Sequence, residues 1–471
     1  MNRITRTGRT FRPPLIPLVV ASGLFMDLMD SSALATALPR LSQAFGVDPI
    51  DLKLALTAYM LTVAVLVPMS GWLSDRFGAK AVFTTAMGIF VLGSISCAFS
   101  NSVAQLVAAR VIQGVGGSMM TPVGRSIVVA SAPRSDLVHV MGWFTVPAIA
   151  GPLIGPPLAG FLLEQASWRW IFLINVPVGM IGMAAVLSFV PRMPRSAGGK
   201  FDLPGFLMIA IAITALMVLV ETGGLEGQPL STRLLSFALA AAAVGGYCLY
   251  ASRRENAVLD LRLLRRDTLL ISLVASWLQR MTMGALPFLL PLLLQVGMGL
   301  SPLDASDVML AMACGGLLSR FIVPPLLRRT GFRWSMLLSG AASSLLSAAP
   351  ALFVAGTPMT LMMIAMGTTS LIRSAFFIPA ASLAYIDVSE REIGQATVLF
   401  TVAQQLSFAM GVTVAAGLLE ASMASGGAMT ADKFILPFTG MAGIGALSLV
   451  AVWFLRRDAG EIFREKSAGA A

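Results

Sequence analysis

Residues 15–39 read LIPLVVASGLFMDLMDSSALATALP, a run in which Asp27 and Asp30 are the only charged side chains. A bilayer hydrocarbon core about 30 Å thick is crossed by about 20 mostly apolar helical residues, so this run predicts a membrane span. Applying the same rule outward predicts further spans near 52–73, 80–99, 103–130, 137–163, 168–190, 203–220, 234–251, 268–296, 306–326, 334–355, 359–386, 394–420 and 436–455. The expected fold class is an all-α polytopic membrane protein with fourteen spans.

Composition agrees. The chain has 471 residues, of which 56% are hydrophobic and 12% charged, where soluble domains carry about 25% charged residues. A soluble globular protein is excluded. A net charge of +10 would suit a nucleic-acid binder if Lys and Arg clustered on one face or tail, but here they punctuate apolar runs, and no nucleic-acid partner is expected. Cys97, Cys248 and Cys314 each stand alone in an apolar run, which fits neither a disulfide framework nor a zinc site. With His139 as the one histidine, there is little material for acid–base or redox chemistry. Neither an enzyme nor a bound metal or cofactor is expected.

The basic residues also orient the chain. With the N-terminus inside, the inner side holds 23 of the 33 Lys and Arg, including Arg3, Arg6, Arg9 and Arg12. The outer loops hold five (Arg40, Lys53, Arg169, Arg233, Lys433), and five fall within spans (Arg110, Arg125, Arg280, Arg320, Arg373). Because cytoplasmic loops are enriched in both residues, both termini are expected in the cytoplasm. The basic N-terminal arm resembles the start of a secretory signal, but the apolar run behind it is too long, so it is read as a retained first helix.

The spans fall into an arrangement of six, two and six. Residues 1–190 form an N-terminal six-helix bundle, 191–267 a two-helix insert with cytoplasmic linkers, 268–456 a C-terminal six-helix bundle and 457–471 a tail. Gly71, Asp75, Arg76, Gly78 and Lys80 after the second span are echoed by Arg328, Arg329, Gly331 and Arg333 after the second span of the later half. The linker at 252–267, with Arg253, Arg254, Arg262, Arg265 and Arg266, is expected to meet anionic lipid. Glu221 and Glu226 flank the outer turn of the insert and read as solvated, and His139, near Arg134 and Asp136, reads as interfacial.

Three stretches carry chemistry. Asp27 and Asp30, three residues apart, share a helical face; each charge at a helix centre costs roughly 2.5–3.5 kcal/mol to insert, which makes them candidates for proton coupling or for pairing with an intramembrane arginine. Asp30 and Arg110 each lie about 10–14 Å below the outer surface at about 1.5 Å per residue, so a contact between them fits. GWLSDRFGAK at 71–80 is a tight cytoplasmic turn whose Asp75 can cap the N-terminus of a neighbouring helix, or meet Arg76 or another basic side chain in a charge clasp. VPAIAGPLIGPPLAG places Gly151, Gly155 and Gly160 beside Pro147, Pro152, Pro156 and Pro157, a closely packed, bent helix.

Together these features resemble the major facilitator superfamily, and the fourteen-span plan resembles its drug:proton antiporter, multidrug efflux branch. GWLSDRFGAK is similar to the first cytoplasmic loop motif, with Ala79 where a basic residue is usual. LVAARVIQGVGG at 106–117 is similar to the fourth-helix motif, whose arginine, here Arg110, the resemblance implicates in proton transfer. GPLIGPPLAG at 151–160 resembles the antiporter motif, a sign of export. MDSSALATALP at 29–39 resembles the first-helix signature, with Asp30 at its acidic position and Ala35 where asparagine is usual. WRWIFLINVPVG at 168–179 and FDLPGF at 201–206 fit the same branch.

The resemblance implies conformational gating by Gly71, Asp75, Arg76, Gly78, Lys80, Gly151, Pro152, Gly155, Pro156 and Gly160. It also implies a substrate cavity between the halves near the midplane, with candidate linings Phe25, Met26, Met119, Met120, Gln279, Arg280, Met281, Arg373, Phe376, Phe377, Gln404 and Gln405 beside the two aspartates. The 28 methionines suit promiscuous binding, and equally serve as membrane filler. Arg280 and Arg373 are costly in a span and fit either anionic groups or backbone carbonyls.

The leading expectation is proton-driven export of amphipathic small molecules from a bacterial inner membrane, with entering protons neutralising Asp30 and Asp27 assisting. Its partners would be substrates, protons and membrane lipid, with a membrane-fusion or outer-membrane partner left open. A primary pump is disfavoured, since no GxxxxGK[ST] phosphate loop is present. The alternatives are a dedicated carrier of one metabolite, such as an organic acid or amino-acid derivative, and a membrane sensor or scaffold, against which the short loops argue.

Overall fold

The computed structural model describes residues 15–131, 137–191, 201–224, 229–254, 257–384, 388, 392–424 and 426–456. Among them the long helices number fourteen: α1 (Leu15–Phe45), α2 (Pro49–Phe77), α3 (Ala79–Ala98), α4 (Val103–Ser131), α5 (Leu137–Gln165), α6 (Arg169–Phe189), α7 (Leu203–Gly224), α8 (Leu230–Ser252), α9 (Asp267–Gly297), α10 (Pro302–Val323), α11 (Thr330–Leu352), α12 (Met359–Leu383), α13 (Ile393–Met423) and α14 (Ala431–Trp453). Twelve combine the length and apolar character a crossing needs, and α4 and α5, 29 residues each, are longer than the minimum. The chain is a multi-pass membrane protein. Arg134, Asp136 and Glu226, the N-terminal arm and the tail from 457 lie outside the described residues.

The duplication expected from the span count is visible in the packing. In the first half α1 packs on α5 and α6, α2 on α4, and α3 on α4; in the second, α9 packs on α13 and α14, and α10 on α12. The halves meet reciprocally, the second helix of each against the fifth of the other: α2 on α13 and α5 on α10. Such reciprocity is what a pseudo-twofold relation between repeats requires. Glycines permit the close crossings. A Cβ at Gly93 would lie 2.6 Å from the Gln113 backbone nitrogen, and one at Gly284 2.5 Å from the Phe408 carbonyl oxygen. The echo after the second helix of each half is conformational as well, since Gly78 (φ 90°) and Gly331 (φ 73°) both take the left-handed region that side chains disfavour.

The inserted pair α7 and α8 packs on itself, and α7 also lies against α13 and α2, where Ile209, Ile213, Met217 and Tyr247 share an apolar cluster with Ala64, Leu399 and Leu406. The insert therefore flanks the α2–α13 seam. One boundary moved: the first span was expected to end at Pro39, yet α1 continues to Phe45. Leu38 and Leu41 are fully buried in an apolar cluster shared by both halves, and that burial outweighs the backbone hydrogen bond a proline removes.

At the end remote from the termini, the halves are joined by polar links as well as by that cluster. Lys53 Nζ donates to Glu420 Oε1 at 2.9 Å, Gln295 Nε2 to the Thr36 carbonyl at 2.9 Å, and Leu303 N to Glu164 Oε1 at 3.3 Å.

Candidate functional site

The first half closes around a buried polar knot. Asp30 on α1 has no exposed surface, and Arg110 on α4 is 1% exposed. Arg110 Nη1 donates to Asp30 Oδ2 at 2.6 Å and to Gln113 Oε1 at 2.6 Å, while Nε donates to the Ala55 carbonyl at 3.2 Å. Asp30 Oδ1 accepts from Gln113 Nε2 at 2.9 Å and from Asn175 Nδ2 on α6 at 2.7 Å, and both amides also donate to Ser94 Oγ on α3. Five of the six helices of the bundle thus contribute to one ion pair whose lone pairs and protons are largely satisfied. Removing one partner of such a pair costs about 3–5 kcal/mol, because the other charge stays buried alone.

Tyr59 on α2 extends the knot. Its ring lies under the Arg110 guanidinium, 4.4 Å from Cζ to the centroid, and its hydroxyl donates to Asp27 Oδ1. Asp27 is only half-buried. The two carboxylates of one helix face are therefore connected in the order Asp27, Tyr59, Arg110, Asp30. The glycines of LVAARVIQGVGG make the space: a Cβ at Gly114 would lie 3.1 Å from the Tyr59 carbonyl oxygen, and one at Gly117 would run into the Tyr59 hydroxyl.

A cavity of about 240 Å³ lies between the halves. Its walls are Ser32 and Ala35 of α1, Pro152 and Pro156 of α5, Met283, Leu286, Pro287 and Leu290 of α9, Met309, Met312 and Ala313 of α10, and Ser370, Arg373, Ser374 and Phe377 of α12. Helix α5 joins this cavity to the aspartates. A Cβ at Gly151 would lie 3.1 Å from the Phe25 carbonyl and one at Gly155 3.0 Å from the Met29 carbonyl, whereas one at Gly160 would lie 3.0 Å from Leu303 Cα on α10.

Of the expected linings, Arg373 and Phe377 reach the cavity. Arg280 stacks over Phe377 at 4.6 Å and sits with Gln404 in a separate niche bounded by Ser276, Trp277 and Phe400; Phe25 and Gln405 are half-buried. Met26, Met119, Met120, Met281, Gln279 and Phe376 are corrected: all are buried in the interior and none lines the cavity. The reason is angular. Ala35 lies nine residues from Met26, or about 180° around the helix at 100° per residue, so with Ala35 on the cavity wall Met26 faces the bundle core. Phe377, four residues after Arg373, shares its face, while Phe376 turns inward. Gln279 is held in a knot of its own, its Nε2 within hydrogen-bonding reach of Ser344 and Ser448 Oγ at 3.0 Å each and of the Gly340 and Gly445 carbonyls at 3.2 Å each.

Asp75 and Arg76 are exposed, and among the described residues neither forms the expected clasp. Lys80 acts instead, donating to the carbonyls of Leu187 at 2.8 Å and Val190 at 2.6 Å and so capping the C-terminus of α6. Tyr59, Ser94, Gln113 and Asn175 were missed, although Gln113 and Asn175 lie inside quoted motifs. Their signal is polarity at a helix centre one turn from a charge, or on a helix otherwise apolar.

Residues 20–412 match the sequence profile of the Major Facilitator Superfamily. The chain belongs to that superfamily. It is 36% identical over 440 residues to "Putative multidrug resistance protein MdtD" of Serratia proteamaculans (strain 568), with 92% of this chain and 91% of that protein covered. It is 38% identical over 410 residues to the protein of the same name in Salmonella heidelberg (strain SL476), with 85% of each covered. Among solved structures, the POT family transporter PepTSo superposes with a TM-score of 0.70 at 15% identity, covering 98% of this chain and 99% of that one. The inward-open xylose transporter XylE from E. coli gives 0.63 at 14% identity, covering 93% and 95%. These two share the fold. This superfamily member is a membrane transporter of small molecules and not an enzyme.

Proposed function

We propose that the protein is a proton-driven exporter of amphipathic small molecules, working by alternating access of its two halves across a bacterial inner membrane with both termini in the cytoplasm. The proton gradient is its energy source and no bound cofactor takes part. The observation that carries this reading is the pair of carboxylates on one face of α1, connected through Tyr59 and Arg110 and linked by α5 to a cavity between duplicated halves. The antiporter motif on α5 and the multidrug-resistance names of the relatives support export.

Within the relay the two aspartates divide the work. Asp30 is enclosed and holds Arg110, Gln113 and Asn175 in place. Asp27 is half-buried with the Tyr59 hydroxyl as partner, which supports assigning it the loading and release of the proton. A proton on Asp27 removes the anion that Tyr59 donates to, and so changes the partner of the ring that supports Arg110. A shift of α1 against Gly151 and Gly155 moves α5, which also forms a cavity wall and the contact with α10. One ligand then biases the state that binds the other, which is what coupling requires.

The test is transport of fluorescent amphipathic dyes of either charge in inside-out vesicles with an imposed pH gradient. Wild type is expected to accumulate dye only with the gradient, and Asp27→Asn to lose that dependence. If no amphiphile moves under any gradient while a small hydrophilic metabolite does, the dedicated carrier replaces this reading.

A further inference from the structure

Arg373 and Arg110 are both arginines buried in the middle of a helical bundle, 4% and 1% exposed. Arg110 has a carboxylate, an amide and a carbonyl around its guanidinium. Arg373 has none of these: its Nε and Nη2 find no hydrogen-bond acceptor among the described residues. A guanidinium stays charged at any pH a protein meets, and a charge held out of water without a partner is the costly arrangement that folded proteins avoid. This unmatched charge lies on the wall of the central cavity.

We propose that the cavity is an anion site, in which Arg373 holds the carboxylate, or another single negative charge, of an amphipathic substrate. Among the described residues the cavity lining contains no acidic side chain, so a cationic drug would meet Arg373 with nothing to offset the repulsion, and an anion would supply the missing acceptor. Ser370, one turn before Arg373, and Ser32 on α1 add hydroxyls to the same lining, and the remaining wall is apolar apart from Ser374. Phe377, on the same face as Arg373, carries Arg280 stacked on it at 4.6 Å, which brings a second cation to the edge of the site. A volume of about 240 Å³ falls just below the usual range of small-molecule sites, about 300–1,000 Å³, and fits one aromatic ring with a short acid-bearing chain. This inference rests on the exporter reading for its physiological meaning and names the substrate class that reading leaves open.

The experiment is equilibrium binding to the purified full-length protein in non-ionic detergent at neutral pH, without any gradient, using 4-phenylbutyrate and 4-phenylbutylamine. The two probes match in ring and chain and differ in the sign of the charge. Wild type is expected to bind the acid at least tenfold more tightly than the amine. Arg373→Gln is expected to erase that difference. So is Ser370→Asp, which keeps Arg373 and gives it a carboxylate three residues away on the same face; this variant carries the test if Arg373→Gln does not fold. Equal or tighter binding of the amine by wild type, or undiminished acid binding in the folded variants, overturns the anion site. Charge-selective binding without gradient-driven transport removes the exporter reading alone, and gradient-driven transport of the amine without acid binding removes the anion site alone.

Discussion

Asp27 and Arg110 lie against the same phenol from two directions, the Tyr59 hydroxyl donating to the Asp27 carboxylate and the Tyr59 ring lying 4.4 Å beneath the Arg110 guanidinium. Tyr59→Phe separates the two roles, because it keeps the ring and removes the hydroxyl. Tyr59→Leu removes both. Cation–π contacts are worth about 2 kcal/mol when desolvated, so the expected stability order in detergent is wild type, then Phe, then Leu. Transport under a pH gradient is expected to fall already in the Phe variant. A Phe variant with unaltered pH dependence would remove Tyr59 from the relay.

The two aspartates should fail differently. Asp27→Asn is expected to fold, to bind substrate and to lose the dependence of transport on the pH gradient. Asp30→Asn strands the Arg110 charge among Gln113, Asn175 and Ser94, and should cost about 3–5 kcal/mol of stability. Thermal denaturation of the two variants side by side checks the assignment, which is reversed if Asp27→Asn is the one that melts early.

Gly155 supports the contact between α5 and α1, where an added Cβ would lie 3.0 Å from the Met29 carbonyl and against the Ser32 hydroxyl. Gly155→Val is expected to cost about 1–3 kcal/mol by overpacking and to suppress transport. At Gly245 on α8 there is open space around a built Cβ, so Gly245→Ala should be neutral or stabilising by up to about 1 kcal/mol. Melting and dye transport measured on both variants decide whether the α5 contact matters.

The remote-end seal is open to a covalent test. A Cβ at Gly160 would lie 2.8 Å from Ser306 Oγ, a separation compatible with a disulfide between cysteines at these positions. In a background with Cys248→Ser and Cys314→Ser, the pair Gly160→Cys and Ser306→Cys is expected to cross-link on oxidation and to stop transport reversibly. Full activity of the cross-linked protein would mean that this end does not open during the cycle.

Exchange of one proton for one monoanion moves charge in the same electrical sense on both legs. An interior-positive potential across inside-out vesicles, set by a potassium gradient with valinomycin, is therefore expected to drive anion accumulation without a pH difference. A one-for-one exchange of a proton and a monocation would be electroneutral and would ignore the potential.

Much of the fold was legible because a membrane span declares itself by length and composition, and because Gly78 and Gly331 mark matching turns in the two halves. The Asp30–Arg110 contact was legible too, since two charges at equal depth have few other partners. The cavity was much less so. Its second-half walls, Met283, Met309 and Met312, lie on helices that are apolar nearly all round, and such helices give no clue to which face meets a neighbour and which meets a void. Gln279 misled for the opposite reason: polarity at a helix centre suggested a ligand contact, and the ligands turned out to be Ser344, Ser448 and two carbonyls of its own bundle.

Gln279 stands on the first helix of the second half much as Asp30 does on the first helix of the first, each tying its bundle together from the inside. The repeat has kept the ligature and changed its ionic character. One half is fastened by a charge, the other by a neutral amide that has no proton to trade at physiological pH. Substitutions at the two positions are therefore unequal in kind: at Asp30 they disturb both architecture and electrostatics, and at Gln279 architecture alone.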